Sequence, residues 1–386
     1  MTTPAPPRRL ALFGSTGSIG KNALRVVDDL AGVFEVAVLA AWRSVDALAE
    51  QAARLRPAVV AVGDPRLEDD LRRALPRDFR GDVRSGPAAL AELALRDDVD
   101  CVLNAVTGAA GLPVTLAAVR AGKRLALANK ESLVAAGPLV MAEAARSGAE
   151  IVPVDSEHSA LFQALQAGRR DEVKKLILTG SGGPFRTRPR ETFASVTRDE
   201  ALKHPTWTMG PKITVDSATL MNKALEIVEA RWLFDAPADQ IDVVIHPQSI
   251  VHSMVLFQDG SVVAQMSRPD MRTAIQYALT WPRRLPSPLE TYSVPAFANL
   301  TFEEPDVRKF PSLRFGRRAA VEGGLAGAVL NAANEKAVEL FLEGRIAFPE
   351  IFERVERTLD RTPSGVATSL DDVLAADAWA RAEAAA

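Results

Sequence analysis

The chain has 386 residues, 47% of them hydrophobic and 25% charged, with a formal net charge of −3 at pH 7. That length suits two or three domains with sizeable cores, and so small a charge leaves no global field to recruit nucleic acid or an anionic membrane. The lone cysteine, Cys101, makes no internal disulfide, no Cys/His cluster has zinc spacing, and no apolar run reaches the ~18–20 residues that span a bilayer. The opening stretch Met1–Arg9 has three prolines and no apolar stretch, so a frayed tail is expected rather than a signal peptide, with the cytosol as compartment.

Along the first part of the chain, short apolar runs alternate with helical stretches. Leu10–Phe13, Phe34–Ala41, Ala58–Gly63, Asp100–Ala105, Arg124–Ala128 and Glu150–Val154 read as strands buried on both faces. The segments between them are long enough for crossover helices, which predicts an α/β fold with a doubly wound parallel sheet over residues 1–150. Residues 151–285 change pattern. Lys174–Leu178, Asp242–Ile245, Ile250–Phe257 and Ser261–Met266 read as strands, Ala218–Phe234 as a helix, and Asp259-Gly260 as a hairpin turn. This predicts an α+β catalytic domain with antiparallel pairing. Residues 286–311 lie in a proline-rich stretch read as a linker. Residues 312–386 predict a small helical domain, with helices over Gly327–Glu343, Pro349–Arg361 and beyond Asp371, and a disordered end after Ala382.

Strand Leu10–Phe13 runs into Gly14-Ser15-Thr16-Gly17-Ser18-Ile19-Gly20 and then a helix. Glycines there permit a tight turn, and the N–H groups at the helix start attract a pyrophosphate. The spacing is Gly-x-x-Gly-x-x-Gly, and such a turn also serves purely steric ends; its position after the first strand of a βαβ unit favours a nucleotide. The second strand ends in Trp42-Arg43-Ser44, without the acid that an NAD site uses for the ribose 2′-hydroxyl. Arg43 and Ser44 suit a 2′-phosphate, so NADPH is the expected cofactor; a solvated loop charge is the plainer alternative for Arg43.

Asp155-Ser156-Glu157-His158 stands where a strand gives way to a helix. Two carboxylates at i and i+2 can converge on one cation, and oxygen donors suit Mg²⁺ or Mn²⁺; a helix N-cap with first-turn acids fits the same residues. Further on, Asn222, Lys223 and Glu226 share a helix face beside an apolar stripe of Met221, Leu225, Val228 and Trp232. Glu226 is the candidate third carboxylate, with Glu229 as a rival and a simple Lys223–Glu226 surface pair as the plain reading. Thr179-Gly180-Ser181-Gly182-Gly183 resembles an anion-cradling turn, and Lys203–Gly210, with its His, Trp, Pro and Gly, suits a lid. Asn129-Lys130-Glu131 follows a strand at the edge where such folds bind ligands, Lys130 being either an electrophile or the salt-bridge partner of Glu131. His246 and His252 fit structural roles, and Cys101 a core position.

Taken in order, Gly14–Gly20, Ala128–Val134, Pro153–Ser159, Thr179–Phe185, His204–Gly210, Ser217–Ala230, His246–Met254 and Leu330–Glu335 resemble the motifs of the 1-deoxy-D-xylulose 5-phosphate reductoisomerases, from about Arg8 to about Asp377. The resemblance implies an NADPH-dependent oxidoreductase of the non-mevalonate isoprenoid pathway, homodimeric, acting on a small phosphorylated sugar. It implies Asp155, Glu157 and Glu226 as metal ligands. Ser181, Ser217, Asn222 and Lys223 match the phosphate pocket, with His204 on the lid beside it. Lys130, Ser156 and Glu157 match contacts to the substrate's hydroxyl and carbonyl oxygens, so that Lys130, Glu157 and His204 are the expected catalytic groups. Thr16, Gly17, Ser18, Ile19, Arg43, Ser44, Asn129, Glu131 and Gly210 match cofactor contacts, and Trp207 and Met209 cover substrate and nicotinamide. Two positions depart from the pattern: Trp42 stands where a glycine is common, and Thr206 where an asparagine is common. Two other readings remain: a semialdehyde-type dehydrogenase, which needs Cys101 as nucleophile, and a non-catalytic NADPH sensor.

Overall fold

β-Branched and aliphatic runs with no polar face need covering on both sides, and in the computed structural model they form a seven-stranded sheet with every pairing parallel. The structure describes residues 6–289 and 293–386. The strands are β1 (Arg8–Phe13), β2 (Phe34–Ala41), β3 (Val59–Val62), β4 (Asp82–Ser85), β5 (Cys101–Asn104), β6 (Arg124–Leu127) and β7 (Glu150–Pro153). Their order is β4-β3-β2-β1-β5-β6-β7, so the chain winds outward from β1 in both directions. β4 has no counterpart among the expected strands. Its sequence Asp-Val-Arg-Ser lies at the sheet edge with alternating exposure, so it carries no apolar run. Arg8 and Arg9 belong to β1 rather than to a tail; residues 1–5 of that expected tail lie outside the described residues.

A second sheet contains β8 (Val173–Gly180), β9 (Ile241–Ile245), β10 (Val251–Phe257) and β11 (Val262–Met266) in the order β11-β10-β8-β9. β10 pairs antiparallel with β8 and β11, as the Asp259-Gly260 turn requires, whereas β8 and β9 are parallel. Gly260 takes φ +88°, which suits that turn. The helix expected over Ala218–Phe234 runs Met221–Leu233, and a separate helix, Pro211–Ala218, precedes it, the two parted at Leu220 in the left-handed region at φ 55°.

Two compact units emerge, one of residues 1–129, 140–155 and 270–289, the other of 130–139, 156–269 and 290–386. These cuts differ from the expected boundaries because packing ignores chain order: the helix Met271–Thr280 lies with the first unit. Within the second unit, the C-terminal helices and the mixed sheet share one core, in which Leu176, Leu225, Val329, Leu340, Phe348 and Leu359 are all buried. In the linker region, Glu303 bridges Ile245 by backbone hydrogen bonds of 2.8 and 2.9 Å, while residues 290–292 lie outside the described residues. The end after Ala382 is not disordered: the last helix runs Leu370–Ala385, Ala380 and Ala384 are fully buried, and Arg354 donates to the Ala384 carbonyl at 2.6 Å.

Candidate active site

In the first unit, the parallel register aligns the C-terminal ends of β2, β1, β5 and β6, with Phe13 beside Ala40 and Asn104, and Asn104 beside Leu127. The turn after β1 therefore leaves from the edge where doubly wound sheets bind ligands. Gly14 has φ +78°, and a Cβ there would lie 2.3 Å from the Ala105 carbonyl oxygen; one on Gly20 would lie 2.3 Å from that of Gly14. Both glycines are required by backbone approach, and they leave Gly17 and Ser18 exposed at the start of the helix Ser18–Asp29 with Thr16 and Ile19 half-buried beside them. Arg43 is exposed, Ser44 stands at the N-cap of Val45–Leu55 with no side-chain capping bond, and the Asn129 amide donates to the Val106 and Gly108 carbonyls at 2.7 and 2.9 Å. Asp155 ends the 140–155 segment of this unit, one peptide bond before the helix Ser156–Ala164.

The second unit holds a cluster of charge that is almost closed to water. Glu226 is fully buried, Lys223 is 4% exposed and Lys130 6%. Lys130 Nζ donates to Asn222 Oδ1 at 2.9 Å and Glu226 Oε1 at 3.0 Å; Lys223 Nζ donates to Glu157 Oε1 at 2.8 Å and also to Glu226. Ser156 Oγ donates to Glu157 Oε2 at 2.7 Å. The Lys223–Glu226 pair is thus no surface pair, and carboxylate oxygens of Glu157 and Glu226 lie within 4.8 Å of one another. Buried charges persist only when paired and hydrogen-bonded, so two carboxylates here need either ammonium groups or a cation between them. Glu229, the rival ligand, lies 3.4 Å from His158 Nδ1, while His158 Nε2 donates to the Glu226 carbonyl at 3.1 Å.

The glycine turn after β8 is built against this cluster. Gly182 and Gly183 take φ +83° and +67°, and a Cβ on Gly183 would lie 2.4 Å from the Ser217 carbonyl oxygen. A Cβ on Gly180 would press on the Lys223 stem at 3.1 Å, so Ser217 and Lys223, each on its own helix, pack against the turn that carries Ser181. The Gly183 N–H donates to Ser181 Oγ at 3.2 Å. His204 Nδ1 accepts from the N–H groups of Thr206 (3.1 Å) and Trp207 (2.8 Å), which fixes the neutral tautomer, so Nε2–H donates to Ser181 Oγ at 3.0 Å. Partial burial pushes the His204 pKa down to about 4. Trp207 lies 6.4 Å from the His252 ring; Met209 is half-buried and Gly210 caps the helix Pro211–Ala218.

Residues 10–137 match the 1-deoxy-D-xylulose 5-phosphate reductoisomerase model, residues 151–234 that enzyme's C-terminal domain model, and residues 266–383 the DXP reductoisomerase C-terminal domain model. The reductoisomerase of Symbiobacterium thermophilum is 51% identical over 375 residues, 96% of either chain, and that of Burkholderia multivorans 51% over 384 residues, 98% of this chain and 96% of that one. The chain belongs to the 1-deoxy-D-xylulose 5-phosphate reductoisomerase family. A solved reductoisomerase from Zymomonas mobilis in complex with NADPH is 43% identical with a TM-score of 0.92, covering 98% of both chains. One in complex with NADPH, fosmidomycin and magnesium is 39% identical with a TM-score of 0.93, covering 98% of this chain and 97% of that one.

Within this reductoisomerase family chain, Cys101 is buried in β5 and its thiol is pushed up to about 12 by desolvation, which leaves no thiolate for the semialdehyde-type reading. His246 donates from Nδ1 to the Thr301 carbonyl at 2.8 Å and accepts the Ile250 N–H at 3.1 Å, and His252 Nε2 meets Ser267 Oγ at 3.0 Å; both side chains have structural partners. Glu131 pairs with Lys212 at 3.3 Å, and Lys212 also holds Asp216 at 2.8 Å. Asn334 donates to Asp216 at 2.8 Å, and Arg381 of the last helix pairs with Glu335. Burial opposes the Lys212 charge, but Asp216, Glu131 and Glu335 outweigh it and hold its pKa above the ordinary range. The i,i+4 spacing of Lys212 and Asp216 was a visible signal for part of this network; Glu335 and Arg381 had none, because their contacts are long-range.

Proposed function

We propose that this chain converts 1-deoxy-D-xylulose 5-phosphate to 2-C-methyl-D-erythritol 4-phosphate, using NADPH and a divalent cation. The observation that carries the proposal is near-full-length likeness to reductoisomerases, in a chain whose second unit buries Lys130, Lys223 and Glu226 together beside Asn222 and Glu157. The glycine turn between β1 and its helix fits a pyrophosphate, since Gly14 and Gly20 let the backbone fold tightly and leave Gly17 and Ser18 exposed at the helix start. The oxygen donors of Asp155, Glu157 and Glu226 fit Mg²⁺ or Mn²⁺. When bound, the cation supplies Lewis-acid stabilisation of charge on adjacent substrate oxygens while the carbon skeleton rearranges, and NADPH supplies the hydride.

The chain's own groups do the rest. Ser181, Ser217, Asn222 and Lys223 hold the substrate phosphate, and His204 Nε2–H, already turned toward Ser181, donates to it. That binding closes Trp207 and Met209 over the substrate and excludes water. Lys130 donates a hydrogen bond to a reacting oxygen, Ser156 orients a hydroxyl, and Glu157 receives and returns a proton at its carboxylate. Thr16, Gly17, Ser18 and Ile19 bind the pyrophosphate, Arg43 and Ser44 the 2′-phosphate, and Asn129, Glu131 and Gly210 line the nicotinamide end. Among the described residues no helix is long and apolar enough to cross a membrane. We further propose a cytosolic homodimer, which sedimentation would test. The decisive assay follows NADPH oxidation with deoxyxylulose phosphate before and after chelation. Full turnover in metal-free protein would overturn the metal assignment, and no turnover with any divalent cation would overturn the reaction.

A further inference from the structure

We infer that Asp64, at the end of β3, is a positioning residue that holds Arg43 and Arg66 as a pair, and that Arg66 is a second cation for the cofactor's 2′-phosphate. The inference rests on the proposed use of NADPH. β2 and β3 run parallel with Ala41 beside Val62, so Gly63–Arg66 leaves the sheet next to Trp42–Ser44. Asp64 is 7% exposed. Its two carboxylate oxygens accept from Arg66 Nε at 2.9 Å and Nη2 at 2.6 Å, and Oδ2 lies 3.3 Å from Arg43 Nε. The Arg66 guanidinium hydrogen-bonded to Asp64 holds its carboxyl well below the usual carboxylate range.

One buried negative charge thus fixes two positive ones whose side chains are 68% and 79% exposed, leaving a net positive charge and free N–H groups at the surface. The Ser44 hydroxyl beside them makes no capping bond, and a cavity of about 780 Å³ opens there, lined by Arg43, Ser44, Asp46, Leu67 and the Asp70–Arg73 ion pair. Trp42 accounts for the departure from the family's glycine: its ring lies on Gly63, where a Cβ would approach within 2.3 Å, so the indole is seated on the backbone rather than over the cavity. An acid near this edge would normally accept a ribose 2′-hydroxyl and favour NADH. Here both arginines neutralise it. If Asp64 only caps the turn Pro65–Leu67, through the Arg66 N–H at 3.2 Å, no discrimination between cofactors follows.

The test measures Kd for NADPH and for NADH by titration of the full chain, for wild type, Arg66→Met and Asp64→Asn. The asparagine keeps an oxygen for the Arg66 N–H and preserves the turn. Loss of one charge-assisted contact to phosphate predicts about tenfold weaker NADPH binding in Arg66→Met with NADH unchanged. Asp64→Asn should narrow the NADPH/NADH ratio in the same direction, and Arg66→Lys should recover part of it. Equal weakening of both cofactors, or an unchanged ratio, would overturn the inference. Wild-type protein that binds no NADPH would instead overturn the proposed function.

Discussion

Glu226 has both carboxylate oxygens engaged, by Lys130, Asn222 and Lys223, and is fully buried, so bulk solvent does not make up for a lost charge. Glu226→Gln should therefore lower kcat by roughly 100-fold or more and weaken Mn²⁺ binding in parallel. Steady-state kinetics with a metal titration checks this, and near-wild-type values for both would move the assignment to Glu229. Cys101→Ala should keep full kcat and lose only about 1 kcal/mol of stability, as expected for a small cavity between buried strands. His204 titrates near 4 in the folded chain against 6.5 as a free side chain. Between those values the unfolded chain binds more protons, so its share of stability is present above pH 6.5 and is lost as pH falls toward 4. Urea midpoints should fall over that window in wild type and fall less in His204→Gln.

At the scale of elements, the glycine turn and the buried ion-pair network decide what the strands and helices present. Gly20→Ala sets a Cβ against the Gly14 and Ser15 backbone at 2.3–2.5 Å, so the helix start must move. NADPH affinity should fall by at least ~10-fold, whereas the sheet persists. Fluorescence titration and circular dichroism together test both halves of that statement. Lys212 carries compensation for Asp216, Glu131 and Glu335 from the first turn of the helix Pro211–Ala218. Removing one partner of a buried pair costs on the order of 3–5 kcal/mol, so Lys212→Met should lower the unfolding midpoint strongly. Lys212→Arg, which keeps the charge, should recover much of the loss. Only the i,i+4 Lys212–Asp216 pair was legible in the chain, since Asn334 and Arg381 reach the network across 118 and 46 residues respectively.

For the whole molecule, the expected disorder after Ala382 failed because an alanine-rich end carries no pattern of its own. Its burial depends on the groove between earlier helices, where Val373, Ala376, Ala380 and Ala384 are covered. Deleting residues 370–386 should cost several kcal/mol by lost apolar burial and the Arg381–Glu335 pair, and hydrogen exchange should rise across Ala326–Leu342. Unchanged protection there would show the helix to be dispensable.

Six of the seven parallel strands were legible because two-sided burial demands uninterrupted apolar runs, and β4 was not because an edge strand needs none. The glycine turn after β1, the missing acid after β2 and the carboxylates at 155, 157 and 226 were likewise written in the chain. What these residues touch was not. From its place after a strand Lys130 reads as either an electrophile or a partner of Glu131, and its pairing with Asn222 and Glu226 joins positions more than 90 residues apart. Local pattern determined which elements form and which chemical groups they carry. Tertiary packing alone decided which charges meet, because buried ions choose partners by distance and desolvation, and neither quantity exists until the chain has folded.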